Sequence, residues 1–230
     1  YEDVPIDTPD MDEVLLIGES RSSVVVDSYI DVNASQPDPF TPRTNNYTFK
    51  DFQLDSDRTG PSAEAAIDLG GNNNSQTTIA NLEITSQTNG INISASEADV
   101  KVTRVINSDI TVEDSGSGTQ GIIFGHDTQL AGVNEDERDG FEIHDTTITG
   151  PGIDVDGSSG LNMSEMNVSS KPSIPVQINI TQNFVTGFER QVETPSRERL
   201  NETNITALNF TSEQFEDEFD ISDVDEDLNI

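Results

Sequence analysis

Gly90-Ile91-Asn92-Ile93 and Gly121-Ile122-Ile123-Phe124 repeat one short pattern, a glycine followed by apolar residues at alternate positions. Ile67-Asp68-Leu69, Gly152-Ile153-Asp154-Val155 and Val176-Gln177-Ile178-Asn179-Ile180 read as further copies, and the apolar starts lie 24, 31, 31 and 23 residues apart. A second series interleaves with the first: Phe52-Gln53-Leu54, Leu82-Glu83-Ile84, Ile110-Thr111-Val112, Thr146-Thr147-Ile148 and Met166-Asn167-Val168. Each run is three to five residues long and rich in Ile and Val, which favours strand over helix. Gly, Asn, Asp and Ser crowd the intervals, as turns require. A copy this short cannot bury its own apolar side chains, so copies must stack and share a core.

The expected fold is therefore all-β, with two strands per repeat. Ile91, Ile122, Ile153 and Ile178 are expected to lie one above another. No helical segment or repeated Leu frame separates the strands, which argues against a leucine-rich repeat. The pattern over 47–182 resembles a right-handed parallel β-helix of the pectin-lyase-like kind, with roughly five rungs. Residues 129–140 read as a loop inserted at one corner. Residues 1–46 form an N-terminal extended, capping or assembly segment, with strand candidates at Val14-Leu15-Leu16-Ile17 and Ser23 to Val32. Within it Val24, Val25, Val26, Tyr29 and Ile30 are the expected assembly residues, through strand addition to another subunit. Residues 183–230 form a C-terminal cap and acidic tail. Asn201 to Thr211 suit a last irregular rung, and Glu213 to Ile230 has nine acidic residues and no basic ones.

Charge is the second signal. Acidic residues number 44 against 11 basic ones, a net charge of -33, and Lys50, Lys101 and Lys171 are the only lysines. In molar salt the Debye length falls to about 3 Å and the self-repulsion fades, while a solvated acidic surface stays soluble. The composition resembles proteins of extreme halophiles, above all haloarchaea and their viruses. It excludes nucleic-acid binding, which needs clustered Lys and Arg. No apolar run approaches the roughly 20 residues of a membrane-spanning segment. There is no Cys, so disulfides and thiolate metal sites are absent. A secreted chain is expected to begin at a processed N-terminus.

Ten asparagines carry the Asn-x-Ser/Thr acceptor signature for N-linked glycan: Asn33, Asn46, Asn73, Asn92, Asn162, Asn167, Asn179, Asn201, Asn204 and Asn209. With 19 Asn and 45 Ser plus Thr, chance would give roughly four, so the motif is enriched and implies an extracellular or virion-surface location. Strand alternation predicts that Asn92, Asn167, Asn179 and Asn209, each between two apolar residues, face solvent.

The catalytic inventory is thin. Asp154 and Asp156, read as sharing a strand face, are a possible carboxylate pair for glycoside hydrolysis. In so acidic a chain such pairs arise anyway. Gly125-His126-Asp127 faintly resembles an element of polygalacturonases, but the family's Asp-Asp pair and Arg-x-Lys element are missing. A lyase would need a convergent basic residue, and Lys101, Arg104 and Arg138 are scattered. His126 and His144 read as solvated side chains rather than metal ligands. Asp55 with Asp57, and Asp154 with Asp156, are weak calcium candidates, since neither motif reaches the late Glu of a calcium loop. The expectation is a non-enzymatic structural or adhesive surface glycoprotein of a halophile, a subunit of a filament, envelope layer or virion spike. N-linked glycans are expected and calcium is possible. Its partners would be further copies or other surface proteins. The competing reading is a secreted carbohydrate-binding or polysaccharide-cleaving protein, with a groove lined by Asp and an aromatic platform.

Overall fold

The computed structural model describes residues 6–7, 13–31, 45–57, 65–69, 75–93, 102–113, 116, 118–124, 139–164, 176–193, 205–211 and 214–215. β1 (Ile6–Asp7) precedes a first round of β2 (Glu13–Ile17), β3 (Val25–Asp27) and β4 (Ile30–Asp31). The second round is β5 (Asn45–Lys50), β6 (Gln53–Ser56) and β7 (Ile67–Asp68). The third is β8 (Ser75–Ala80), β9 (Glu83–Ser86) and β10 (Ile91–Ile93). The fourth is β11 (Val102–Ile106), β12 (Asp109–Val112) and β13 (Gln120–Phe124). The fifth is β14 (Asp139–His144), β15 (Thr147–Thr149) and β16 (Ser159–Asn162). The sixth is β17 (Val176–Thr181), β18 (Phe184–Thr186) and β19 (Arg190–Glu193), after which β20 (Ile205–Thr211) and β21 (Gln214–Phe215) follow.

Every third strand belongs to the same sheet, giving three parallel sheets of seven strands. Sheet A holds β1, β4, β7, β10, β13, β16 and β19. Sheet B runs from β2 to β20, and sheet C from β3 to β21. There is no helix among the described residues. The arrangement is all-β and parallel, as expected, and is compatible with a β-solenoid. The sheets also extend beyond 47–182 in both directions.

The core is a set of aligned files. Ile67, Ile91, Ile122, Leu161 and Val192 stack along sheet A. Leu54, Ile84, Ile110, Ile148 and Val185 stack along sheet C. Phe49, Ile79, Val105, Ile143 and Ile180 do so along sheet B, and all of these side chains are buried. At the start of three sheet A strands Gly90, Gly121 and Gly160 lie level. A Cβ on Gly121 would strike the Gly160 carbonyl and Ile148, so the sheet admits no side chain there.

Three expectations are corrected. A repeat contains three strands, not two. The missed series is sheet B, whose inward positions include Thr77 and Thr103 beside Ile79 and Val105, so its apolar alternation is diluted. The Ile153 phrase is not a strand. Residues 153–157 turn, Ile153 is 53% exposed, and Leu161 takes the expected place in the file. Gly152 and Gly157, both at positive φ, mark that turn. Ile178 belongs to sheet B, level with Phe141 and Leu208, and not to the file of Ile91 and Ile122. Met166-Asn167-Val168 lies outside the described residues, and β18 holds the sixth-round position in sheet C.

The corner between sheets B and C repeats most strictly. Its first residue is Asp51, Asn81, Asn107, Asp145 or Gln182, each left-handed with φ between 47° and 63°. Asn and Asp tolerate that conformation best among residues with a side chain. Backbone N–H groups of Asp51, Asn81, Asn107 and Asp145 donate to Ala80, Ile106, His144 and Thr181 carbonyls at 3.0–3.3 Å, tying each corner to the next. Asn81 Nδ2 also donates to Asp51 Oδ1 at 2.6 Å. The second corner residue points inward as Phe52, Leu82, Ser108, Thr146 and then Asn183, all buried. Buried polar groups need partners, and these have them. Ser108 Oγ accepts from Leu82 N–H and donates to the Ile106 carbonyl. Asn183 accepts from Thr146 N–H and donates to the Ile143 carbonyl, both at 3.0 Å.

Candidate functional site

The outer face of sheet C is the best-described chemical surface. Alternation places two files of side chains on it. One runs Val25, Gln53, Glu83, Asp109, Thr147 and Phe184, with Gln214 of β21 next in register; the other runs Asp27, Asp55, Thr85, Thr111, Thr149 and Thr186. Val25 and Phe184 are 59% and 41% exposed, an unusual state for large apolar groups on an acidic surface. Gln53 Nε2 donates to Glu83 Oε2 at 2.8 Å. Arg21, from the turn before β3, pairs with Asp109 and approaches Glu83 at 4.0 Å. Sequence reasoning missed this guanidinium, because nothing local to Arg21 signals partners more than 60 residues away.

The calcium candidates separate. Asp55 lies exposed on sheet C beside Asp27. Partial burial first, and then the neighbouring Asp27, Glu113 and Asp57 charges, raise its carboxyl above the ordinary value of 3.8. Asp154 and Asp156 are exposed in the 153–157 turn, so the expected shared strand face does not exist. Alternate Ile153 and Val155 imitate a strand that Gly152 and Gly157 interrupt. Among the described residues no group of three or more His, Asp or Glu is arranged to hold a metal ion. His144 is half-buried, with Nδ1 2.9 Å from Asp145 Oδ2 and Nε2 3.8 Å from Glu142 Oε1. His126 lies outside the described residues.

Of the acceptor asparagines, Asn92 departs from expectation. It alternates with the buried Ile91 and Ile93, yet is itself only 8% exposed, and its Nδ2 donates to Asp68 Oδ1 at 3.2 Å. Asp68 is buried on the same file. Alternation with core residues therefore does not by itself bring a side chain into solvent. Asn162 is half-exposed at the end of β16, and its Oδ1 accepts from both Ser164 N–H and Ser164 Oγ, at 2.9 and 2.7 Å. Asn46, Asn179 and Asn209 lie on β5, β17 and β20, the last two level with each other; their side chains are not among those described. Asn33, Asn73, Asn167, Asn201 and Asn204 lie outside the described residues.

The expected assembly residues are also placed. Val25 is exposed on sheet C, Val24 and Val26 pack partly against the core, Ile30 is fully buried, and Tyr29 is half-buried. Among the described residues no helix is long and apolar enough to cross a membrane. Comparison with protein-family models, with curated proteins and with solved structures finds no match to this chain.

Proposed function

We propose that this chain is a non-enzymatic structural or adhesive surface glycoprotein of a salt-adapted organism or its virus, acting as one subunit of an extracellular assembly. We read its three sheets as one right-handed parallel β-helix, since parallel crossovers take that hand in nearly all cases. The observation that carries the assembly reading is the first round. β2 and β3 are the outermost strands of sheets B and C, with no described strand on their far side. Leu15 and Ile17 of β2, and Val25 of β3, stand exposed there. Such an edge is a template for another chain unless something covers it. Acidic composition and abundant acceptor sites support an extracellular, saline setting.

The test is light scattering and electron microscopy in about 2–3 M salt, the regime where charge is screened. The expected result is oligomers or filaments that weaken in Leu15→Ser/Ile17→Ser, and that dissociate and melt at lower temperature in about 0.1 M salt. A monomer at all protein concentrations would overturn the assembly reading. Point changes suit this better than deletion of 1–46, which would strip a whole round from the core.

A further inference from the structure

All ten acceptor tripeptides begin in sheet A, in sheet B or in the connections leading from A to B. None begins in sheet C or in the connections entering and leaving it. Of the 18 asparagines in 13–215, 14 lie in the A-to-B segments, so ten drawn at random would all fall there about once in forty. Sheet C is also one step from being an acceptor surface. Glu83-Ile84-Thr85, Asp109-Ile110-Thr111, Thr147-Ile148-Thr149 and Phe184-Val185-Thr186 each lack only the leading Asn. Sheet B has that Asn in the same alternation, in Asn46-Tyr47-Thr48, Asn179-Ile180-Thr181 and Asn209-Phe210-Thr211. A bulky glycan is compatible with a free surface and not with a contact surface.

We propose that the outer face of sheet C packs against the same face of a second copy of this chain, antiparallel, about a two-fold axis along the strands between β9 and β12. This rests on the surface-glycoprotein reading above. The occupant is indicated by the order of side chains, which is nearly palindromic. Over the six strands from β3 to β18 the first file reads apolar, neutral polar, acidic, acidic, neutral polar, apolar: Val25, Gln53, Glu83, Asp109, Thr147, Phe184; Gln214 of β21 lies beyond that span. An isologous contact requires such self-complementarity. Under this axis Val25 meets Phe184 of the other copy, and Gln53 meets Thr147. In the second file Asp27 and Asp55 meet the hydroxyls of Thr186 and Thr149, and Thr85 meets Thr111. The Glu83 and Asp109 carboxylates meet each other, and Arg21 of each copy already lies against that pair. From Val25 to Phe184 the file is about 24 Å long, at roughly 4.8 Å per strand. A face this narrow falls short of the roughly 800 Å² per partner of a standard interface. The contact is therefore weak alone and belongs to high protein concentration and molar salt.

The test uses the full chain made in an N-glycosylating host and held in molar salt. Intact mass reads glycan, and sedimentation reads association. Thr147→Asn creates an acceptor within the face, opposite Gln53 of the other copy. The expected result is added glycan mass at that site and at least a tenfold loss of dimer affinity. The same Thr147→Asn chain from a host without N-glycosylation keeps a neutral polar group opposite Gln53 and should show none of that loss relative to the parent from that host. Because the chain has no Cys, the double variant Gln53→Cys/Thr147→Cys should form disulfide-linked dimers on oxidation. Undiminished dimerisation of the glycan-bearing variant would overturn the proposal. So would oligomers that do not cross-link, or a monomer that shifts only on adding a polysaccharide. Absence of glycan from every natural acceptor would sink the glycoprotein reading instead, and the cross-link would still decide the contact.

Discussion

The passage from sheet B to sheet C and the passage from sheet A to sheet B obey different rules. From the second round onward B leads to C through two residues every time, the first of them left-handed through Gln182. From A to B the connection varies from five to fourteen residues. The short passage sets register, because its backbone is hydrogen-bonded to the round above and its second residue is in the core. The long passage absorbs the irregularity of the repeat and contains half of the acceptor asparagines: Asn33, Asn73, Asn167, Asn201 and Asn204. Order and variability are thus segregated to different sides of one stack.

The sharpest way to break this contrast is an insertion. One glycine between Asn81 and Leu82 displaces a buried side chain and shifts a strand whose faces alternate, and should cost more than about 4 kcal/mol. The same glycine between residues 131 and 132, in the fourteen-residue passage, should change stability by less than about 0.5 kcal/mol. Equal costs in denaturant melts would end the distinction. A smaller effect tests corner conformation. Asn81→Val places a β-branched residue at φ 54° and removes the hydrogen bond to Asp51, for about 2 kcal/mol. Asn81→Gly should lose about half of that, because glycine accepts the backbone.

Polar groups inside the stack sharpen the comparison further. Ser108 and Asn183 at the corner are hydrogen-bonded, whereas the hydroxyls of Thr77 and Thr103, level on adjacent strands of sheet B, are buried without a partner. Thr103→Val keeps the shape and removes an unsatisfied group, so it should stabilise by about 1 kcal/mol. A loss on thermal melting would mean the hydroxyl has a partner. The smallest effect concerns Asp55. Its carboxyl is raised in the fold, so the folded state holds that proton more tightly than the unfolded one. The stability this gives is full below the unfolded value and is lost as pH rises through the folded one. Asp55→Asn should therefore stabilise at neutral pH, by at most about 0.5 kcal/mol after solvent screening, and be without effect below pH 3.8. A gain that persists in acid would point to a cause other than charge.

Most of sheets A and C was legible because their inward residues are Ile, Leu or Val beside polar outward ones. Sheet B was not, because Thr77 and Thr103 face inward and read as surface. The corner was legible in principle. Asp51, Asn81, Asn107 and Asp145 each stand three residues before the Leu or Ile of the sheet C file, a spacing the strand-centred reading passed over. Ile153 misled because alternation alone does not distinguish a strand from a turn flanked by glycines. The partners of Arg21 and the bond from Asn92 to Asp68 depend on which rounds lie side by side, a three-dimensional fact with no local trace.

The unchanging corner gives the molecule a unit of height. Excising residues 81–106 would bring Asn107 directly after Ala80, into the conformation and bonding that Asn81 has now. The strands above and below would meet partners of the same kind. Such a chain can therefore grow or shrink over evolution in whole steps of about 4.8 Å, with its cross-section preserved and only its reach altered.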